Sequence, residues 1–323
     1  MNEITVAITG AAGQIAYQLI PMVLGGHVFG DAKIHLKLVD IPVAVPKLAG
    51  VVMEMEDCAW SHMLSVEAFS SDALDQGFKD IDFAFLVGAS PRTKGMERAD
   101  LLSKNGNIFK VQGQALSDYA KPSVEVLVVG NPCNTNCLIA MKHARNIPDT
   151  QFYAMTMLDE HRARYQISRR LNVAIDAVKE VFIYGNHSAT QFPDYENAKP
   201  AVDHSDPWWQ ETFVPMIQTR GAAVIQARGA SSAASAAYAA AQTAQFIVQK
   251  SDQPFSVARL SMGDYGSPED LIVSVPSYFK DGICTAYGKY THSESASALI
   301  QASYDELQAE YDQVLELGLI DVD

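Results

Sequence analysis

Ile4-Thr5-Val6-Ala7-Ile8-Thr9-Gly10-Ala11-Ala12-Gly13-Gln14-Ile15-Ala16-Tyr17 carries an apolar strand directly into a helix through a turn of small residues. The Gly-x-x-Gly-x-x-Ala spacing lets the backbone approach a pyrophosphate, with the first N–H groups of the helix aimed at it. It departs from Gly-x-Gly-x-x-Gly, so taken alone the turn also fits a plain strand-to-helix connection. No Lys-Ser or Lys-Thr follows the glycines, which excludes a P-loop triphosphatase.

Outward from this turn, near-continuous apolar runs at residues 4–9, 34–39, 83–87 and 124–129 alternate with helical patterns at 14–24, 46–62 and 101–120. Strands that are apolar on both faces and separated by helices make a parallel sheet covered on both sides, joined by right-handed crossovers. Residues 1–156 therefore read as a doubly wound, Rossmann-like nucleotide-binding domain. After a run at 152–156 the pattern changes to a helix at 159–171 and a strand at 178–184. Alanine-rich helices at 208–228 and 232–249, strands at 257–262 and 271–278, and a helix at 294–315 follow. Residues 157–323 read as a mixed α/β domain, and the expected fold class is α/β throughout.

At 323 residues and 48% hydrophobic, the chain has room for two domains sharing an interface, each with its own core. A formal net charge of −14 argues against nucleic acid or anionic lipid as a partner, so any anionic ligand must be drawn by local positive groups. Cys58, Cys133, Cys137 and Cys284 show no Cys-x-x-Cys spacing, and a core this large needs no disulfide staples, which points to a reducing cytoplasm. Cys133 and Cys137 lack a His or third Cys at a matching spacing and read as buried apolar residues, with no metal expected. The N-terminus runs straight into an apolar strand, and no stretch approaches about 20 uninterrupted apolar residues; no signal peptide, transit peptide or membrane span is expected. Trp208-Trp209 reads as a helix start with aromatic anchors, residues 230–244 as a close-packing helix, and the carboxylates of the C-terminal helix as a solvated face.

Chemistry concentrates at a few positions. Asp40 ends the second strand, where a carboxylate accepts both hydrogen bonds of an adenosine ribose diol and repels a 2′-phosphate, favouring NAD over NADP. The run Ala89-Ser90-Pro91-Arg92-Thr93-Lys94-Gly95-Met96-Glu97-Arg98 sets two arginines six residues apart after an apolar strand, and two guanidinium forks suit a substrate with two carboxylates. Asn131 ends another strand, on the edge of the sheet where such folds bind ligands. Asp159 and Arg162 emerge on one face of a helix start, and Tyr184-Gly185-Asn186-His187-Ser188 presents His187 at a strand end. A histidine moves its proton readily near neutrality, and a buried carboxylate would fix its tautomer and stabilise its cation.

Together, Gly10-Ala11-Ala12-Gly13-Gln14-Ile15-Ala16, Pro91-Arg92 with Gly95-Met96-Glu97-Arg98, Val129-Gly130-Asn131-Pro132, Leu158-Asp159 with Arg162, and Gly185-Asn186-His187-Ser188 strongly resemble the malate dehydrogenase family, in the cytosolic-type branch of the lactate/malate dehydrogenases. The likeness runs through Arg220-Gly221-Ala222-Ala223 and Ser231-Ser232-Ala233. It implies NAD as cofactor, a small dicarboxylate as substrate, a homodimer, and reversible oxidation of L-malate to oxaloacetate. His187 would be the general base and acid with Asp159 as its partner. Arg162 would clamp the carboxylate beside the reacting carbon, Arg98 polarise the C2 oxygen, Arg92 hold the distal carboxylate, and Asn131 bridge cofactor and substrate. Gly10, Ala11, Ala12, Gly13, Gln14, Ile15, Ala16, Asp40, Val129 and Gly130 would line the cofactor, joined by Asn105 and Gln112. Gly95 would pivot the loop. The familiar Asn-Pro-Ala here is Asn131-Pro132-Cys133, the helix opens Thr156-Met157-Leu158-Asp159-Glu160-His161-Arg162, and the segment 261–266 looks shortened relative to that family. A lactate-type dehydrogenase of the same fold offers no reason for Arg92, and a non-catalytic NAD sensor offers none for His187, Asp159 and three arginines together.

Overall fold

The computed structural model describes residues 3–90 and 98–321. Among the described residues, six parallel strands form the centre: β1 (Glu3–Thr9), β2 (Lys33–Asp40), β3 (Met63–Ser70), β4 (Phe83–Leu86), β5 (Glu125–Val128) and β6 (Phe152–Met155). Between them run α1 (Gln14–Leu24), α2 (Val45–Asp57), the single turn α3 (Leu74–Gly77), α4 (Arg98–Tyr119) and α5 (Cys133–His143). The strand order β3-β2-β1-β4-β5-β6 reverses between β1 and β4, and that switch point opens a crevice at the carboxyl ends of the strands.

The second half continues with α6 (Met157–Leu171), β7 (Ile183–Tyr184), β8 (Phe192–Pro193), α7 (Val214–Arg228), α8 (Ala234–Val248), β9 (Phe255–Leu260), β10 (Ile272–Lys280), β11 (Ile283–Ala286) and α9 (Glu294–Glu316). β9 pairs antiparallel with β6, Ala154 opposite Ala258 and Met155 opposite Val257, so β9, β10 and β11 extend the same sheet. The pleat sends alternate residues to opposite faces. Val126 and Val128 join a core with Phe109 of α4, Ile139 of α5 and Leu307 of α9, while Leu127 joins a core with Leu19 of α1, Val51 of α2 and Ala240 of α8. Small alanines on α8 let it lie close against α1 and α6, as the composition of residues 230–244 implied.

Several local expectations are corrected. The helix expected over 46–62 ends at Asp57, and Met63–Ser70 forms the edge strand β3, whose half-exposed pattern carries little apolar signal. In the strand expected over 178–184 only Ile183 and Tyr184 pair in a ladder; Val178, Val181 and Phe182 are apolar because they pack into the core. Trp209–Phe213 is a π-helical turn ahead of α7, next to Pro215, which has no N–H to continue the regular helical pattern. Trp209 is buried and stacks on Tyr195, an anchor as expected. Asp281 and Gly282, both at positive φ, turn β10 back into β11. No helix among the described residues is long and apolar enough to cross a membrane.

Candidate active site

At the switch point, the turn after β1 meets the end of β4. Gly10 has φ +63°, and a Cβ there would lie 2.4 Å from Gly88 Cα, so only glycine allows the two backbone segments to touch. Gly13 precedes α1, whose first N–H groups receive no side-chain cap, and Gly13 and Gln14 are exposed while Ala11, Ala12 and Ala16 are buried beneath. Asp40 ends β2 as expected. Its Oδ2 accepts from Ala12 N at 2.8 Å and its Oδ1 from Ile41 N at 2.7 Å, so the carboxylate also holds the turn in shape. Each oxygen keeps a further lone pair for a ribose hydroxyl. Lys47 Nζ donates to Ala12 O at 2.5 Å, and a cavity of about 510 Å³ opens beside the turn between α1 and α2. Past β5, Val129 is buried and a Cβ at Gly130 would be tight, 3.0 Å from that of Ala89. These residues fit a dinucleotide: open helix N–H groups for its pyrophosphate and an acceptor for its ribose. Asp40→Ser is expected to weaken NADH binding and raise activity with NADPH, narrowing the NADH preference in kcat/KM; an unchanged ratio would leave Asp40 only the role of holding the turn.

A second cluster of expected site residues lies beyond β6 at the start of α6. Asp159 is 0% exposed, and its two oxygens serve two partners: Oδ2 lies 2.5 Å from His187 Nδ1, and Oδ1 accepts from Arg162 Nη1 at 2.7 Å. Burial pushes the Asp159 carboxyl up, but the neighbouring His187 and Arg162 outweigh it and hold the group below its ordinary value. A carboxylate only accepts, so His187 keeps its proton on Nδ1 and leaves Nε2 to serve as base. Arg162 Nη2 also donates to Ser232 Oγ at 3.2 Å, ahead of α8. Two of its five N–H donors are used this way, leaving a fork for an anionic group.

His187 belongs to the short connection between β7 and β8. Its backbone N–H donates to Asn134 Oδ1 at 3.0 Å, and Asn134 Nδ2 donates to Ile272 O at 2.9 Å and Gly185 O at 3.3 Å. Asn134 thus brackets the turn on both sides of Asn186 and ties it to β10. Gly185 has φ +90°, and a Cβ there would stand 2.1 Å from Ser303 Oγ.

Asn131 is exposed at the end of β5 beside this assembly, three residues before Asn134. Asn105, expected at the cofactor, is 0% exposed and has its amide engaged: Oδ1 accepts from Ser90 N at 2.7 Å, and Nδ2 reaches Ser90 O and Asn131 O at 3.2 Å each. It ties the end of β4 to the end of β5. Gln112 is also buried, with its Oε1 unpartnered. Arg92 and Gly95 lie outside the described residues, and Arg98 opens α4. Cys133 and Cys137 are buried as expected; burial pushes both thiols up, away from the thiolate a metal requires, and the described residues hold no group of His, Cys, Asp and Glu suited to a metal. On α9, Glu294, Asp305, Asp312 and Glu316 are exposed, as the expected solvated face requires, and Glu310 is the chief correction. Glu310 is only 4% exposed and accepts from Thr135 Oγ1 and, at 3.2 Å, from Asn186 Nδ2. Sequence reasoning missed Asn134 as well. The polar run Asn134-Thr135-Asn136 on a helix facing the core was the available signal.

Comparison with known proteins agrees with this geometry. Residues 4–152 match the family model described as lactate/malate dehydrogenase, NAD binding domain, and residues 156–317 the model of the alpha/beta C-terminal domain of the same family. Malate dehydrogenase from Naegleria fowleri is 35% identical with a TM-score of 0.93, over 98% of this chain and 99% of that one. Lactate dehydrogenase from Trichomonas vaginalis, in complex with NADH and oxamate, is 34% identical with a TM-score of 0.90, over 97% and 98% of the two chains. With both family models matched in order along the chain and a buried Asp159 joining His187 to Arg162 at the carboxyl edge of the sheet, the chain belongs to the lactate/malate dehydrogenase family of NAD-dependent oxidoreductases.

Proposed function

We propose that the chain is an L-malate dehydrogenase, interconverting L-malate and oxaloacetate. The observation that carries the chemistry is a single buried carboxylate, Asp159, joining the proton-transfer histidine to a substrate-facing arginine at 2.5 and 2.7 Å. The choice of malate rests on Arg92, which gives a second carboxylate a charged partner.

NAD, when bound, supplies the hydride acceptor. In malate oxidation, neutral His187 takes the C2 hydroxyl proton at Nε2. The resulting imidazolium is stabilised by Asp159, whose negative charge sits against Nδ1 before the reaction starts, so little reorganisation is needed. Arg162 turns its remaining donors to the carboxylate beside the reacting carbon, oriented by Asp159 and Ser232. To Arg98 this reading gives the charge that develops on the C2 oxygen, a role worth roughly 3 to 4 kcal/mol for one preorganised donor. In the reverse direction the imidazolium returns its proton to the same oxygen.

The Trichomonas relative, a lactate dehydrogenase of nearly the same identity, favours a second reading with pyruvate as the oxidised substrate. NADH oxidation with oxaloacetate and pyruvate side by side distinguishes them: the malate reading expects the higher kcat/KM with oxaloacetate, and a preference for pyruvate would overturn it. The same reading places the enzyme in a reducing cytoplasm as a homodimer, meeting through helix faces that expose Met53 and Ile225. Light scattering is expected to give twice the 35.2 kDa of one chain.

A further inference from the structure

The structure assigns to Glu306, on α9, the positioning of the turn that carries His187; the inference rests on His187 being the proton-transfer group. β7 and β8 are two residues long each, so the connection between them receives little support from the ladder. It is held by Asn134 of α5, by the pairing of Gly185 with Ser274 of β10 and, over the residues flanking His187, by side chains of α9. Glu306 Oε2 collects three donors from the residues flanking His187: Asn186 Nδ2 at 3.0 Å, Thr190 Oγ1 at 2.7 Å, and Ser188 Oγ. One turn earlier on the same helix, Ser303 Oγ accepts from Asn186 N at 2.8 Å and lies 3.0 Å from Thr190 Oγ1, whose single proton goes to Glu306. Residues on both sides of His187 are therefore fastened to one helix, whereas His187 itself is held by Asp159 through its ring and by Asn134 through its backbone.

This arrangement matters because Asp159 fixes only one ring nitrogen. A turn free to pivot about that bond would swing Nε2 away from the reacting oxygen, and a misplacement of about 1 Å at a reacting centre costs on the order of 10²-fold in rate. Glu306 closes that freedom with a charge-assisted acceptor shared by three donors, stronger than neutral pairs would be. The dinucleotide cradle at Gly10 to Ala16 belongs to β1 and α1, and Arg162 to α6, so neither depends on α9 for its place. A positioning role thus separates kcat from binding, and a role confined to docking α9 would lower stability without that separation.

The experiment compares the full chain with Glu306→Ala and Glu306→Gln, using oxaloacetate and NADH. For Glu306→Ala, kcat is expected to fall about 10²-fold while KM and the NADH dissociation constant, read by fluorescence, stay within about threefold. The isotope effect with 4-deuterated NADH is expected to rise as the reacting step becomes limiting. Glu306→Gln keeps an acceptor oxygen in the same place and is expected to recover to within about tenfold of wild type. If Glu306→Ala does not fold, Ser188→Ala with Thr190→Val removes two donors from the turn and leaves α9 intact, with the same loss of kcat expected. A folded variant with wild-type kcat, or one that loses NADH affinity in step with kcat, overturns the positioning role. His187→Asn run in parallel separates the two readings: wild-type rate in Glu306→Ala beside an inactive His187→Asn overturns the positioning alone, and turnover by His187→Asn overturns the reading beneath it.

Discussion

His187→Asn is expected to lower turnover by about 10³-fold or more while NADH binding, followed by fluorescence, survives. Asparagine fills much of the space and keeps polarity, but it neither accepts nor returns a proton. The dinucleotide cradle lies on β1, α1 and β2, away from the connection that holds His187, so the loss falls on the reaction and not on the cofactor. The pH profiles sharpen the test. Malate oxidation needs the neutral ring and is expected to rise with pH, whereas oxaloacetate reduction needs the imidazolium and is expected to fall as pH rises. Asp159 sits 2.5 Å from Nδ1 with its own carboxyl held in the charged form by His187 and Arg162. Asp159→Asn removes the charge that stabilises the imidazolium, so the protonated ring is lost earlier, and the falling limb of reduction is expected to move to lower pH. A limb that stays in place, or substantial turnover by His187→Asn, would mean that another pair moves the proton.

The residues legible in the sequence are those whose local backbone already states their purpose. Gly10 and Gly13 mark a close turn between a strand and a helix. Asp40 and Asn131 end strands at the ligand-binding edge, and Asp159 with Arg162 share one helical turn. Each of these depends on neighbours within a few positions. The supports of the site do not. Thr135 meets Glu310 across 175 residues of chain, and Asn186 meets Glu306 across 120. Read along the sequence, Glu306 and Glu310 sit among other acids on a helix whose opposite face is apolar, the pattern of a solvated surface. Only the tertiary fold brings that surface against the connection that carries His187. Asn105 is a related case. Its place after the arginine loop suggests a ligand contact, yet burial directs its amide to the backbone of Ser90 and Asn131. The edge strand β3 escaped for a different reason: with one side open to solvent, Met63–Ser70 shows little of the continuous apolar run that marks β1, β4 and β5.

Arg92→Gln is expected to lower the oxaloacetate-to-pyruvate ratio in kcat/KM by about 10²-fold or more, because a charged hydrogen bond worth roughly 3 kcal/mol is lost from one substrate and not from the other. Oxaloacetate carries a second carboxylate where pyruvate carries a methyl group. In a chain of net charge −14, that carboxylate gains nothing from the surroundings at large and depends on a local cation. Glutamine keeps length and donors but removes the charge and the paired fork, so the expected loss is electrostatic rather than steric. The residues that flank the segment bearing Arg92 are held by other parts of the fold. Ser90 is fastened by two hydrogen bonds to the buried Asn105, and Arg98 begins the long helix α4. A substitution at Arg92 leaves these anchors in place, and NADH affinity is expected to stay within about twofold, since the cradle belongs to β1, β2 and α1. Pyruvate reduction is expected to change little or to improve, as an arginine facing a methyl group is a desolvated charge without a partner. If the variant kept the full oxaloacetate preference of the parent, the second carboxylate would have to be recognised elsewhere, and Arg92 would not be the selecting residue.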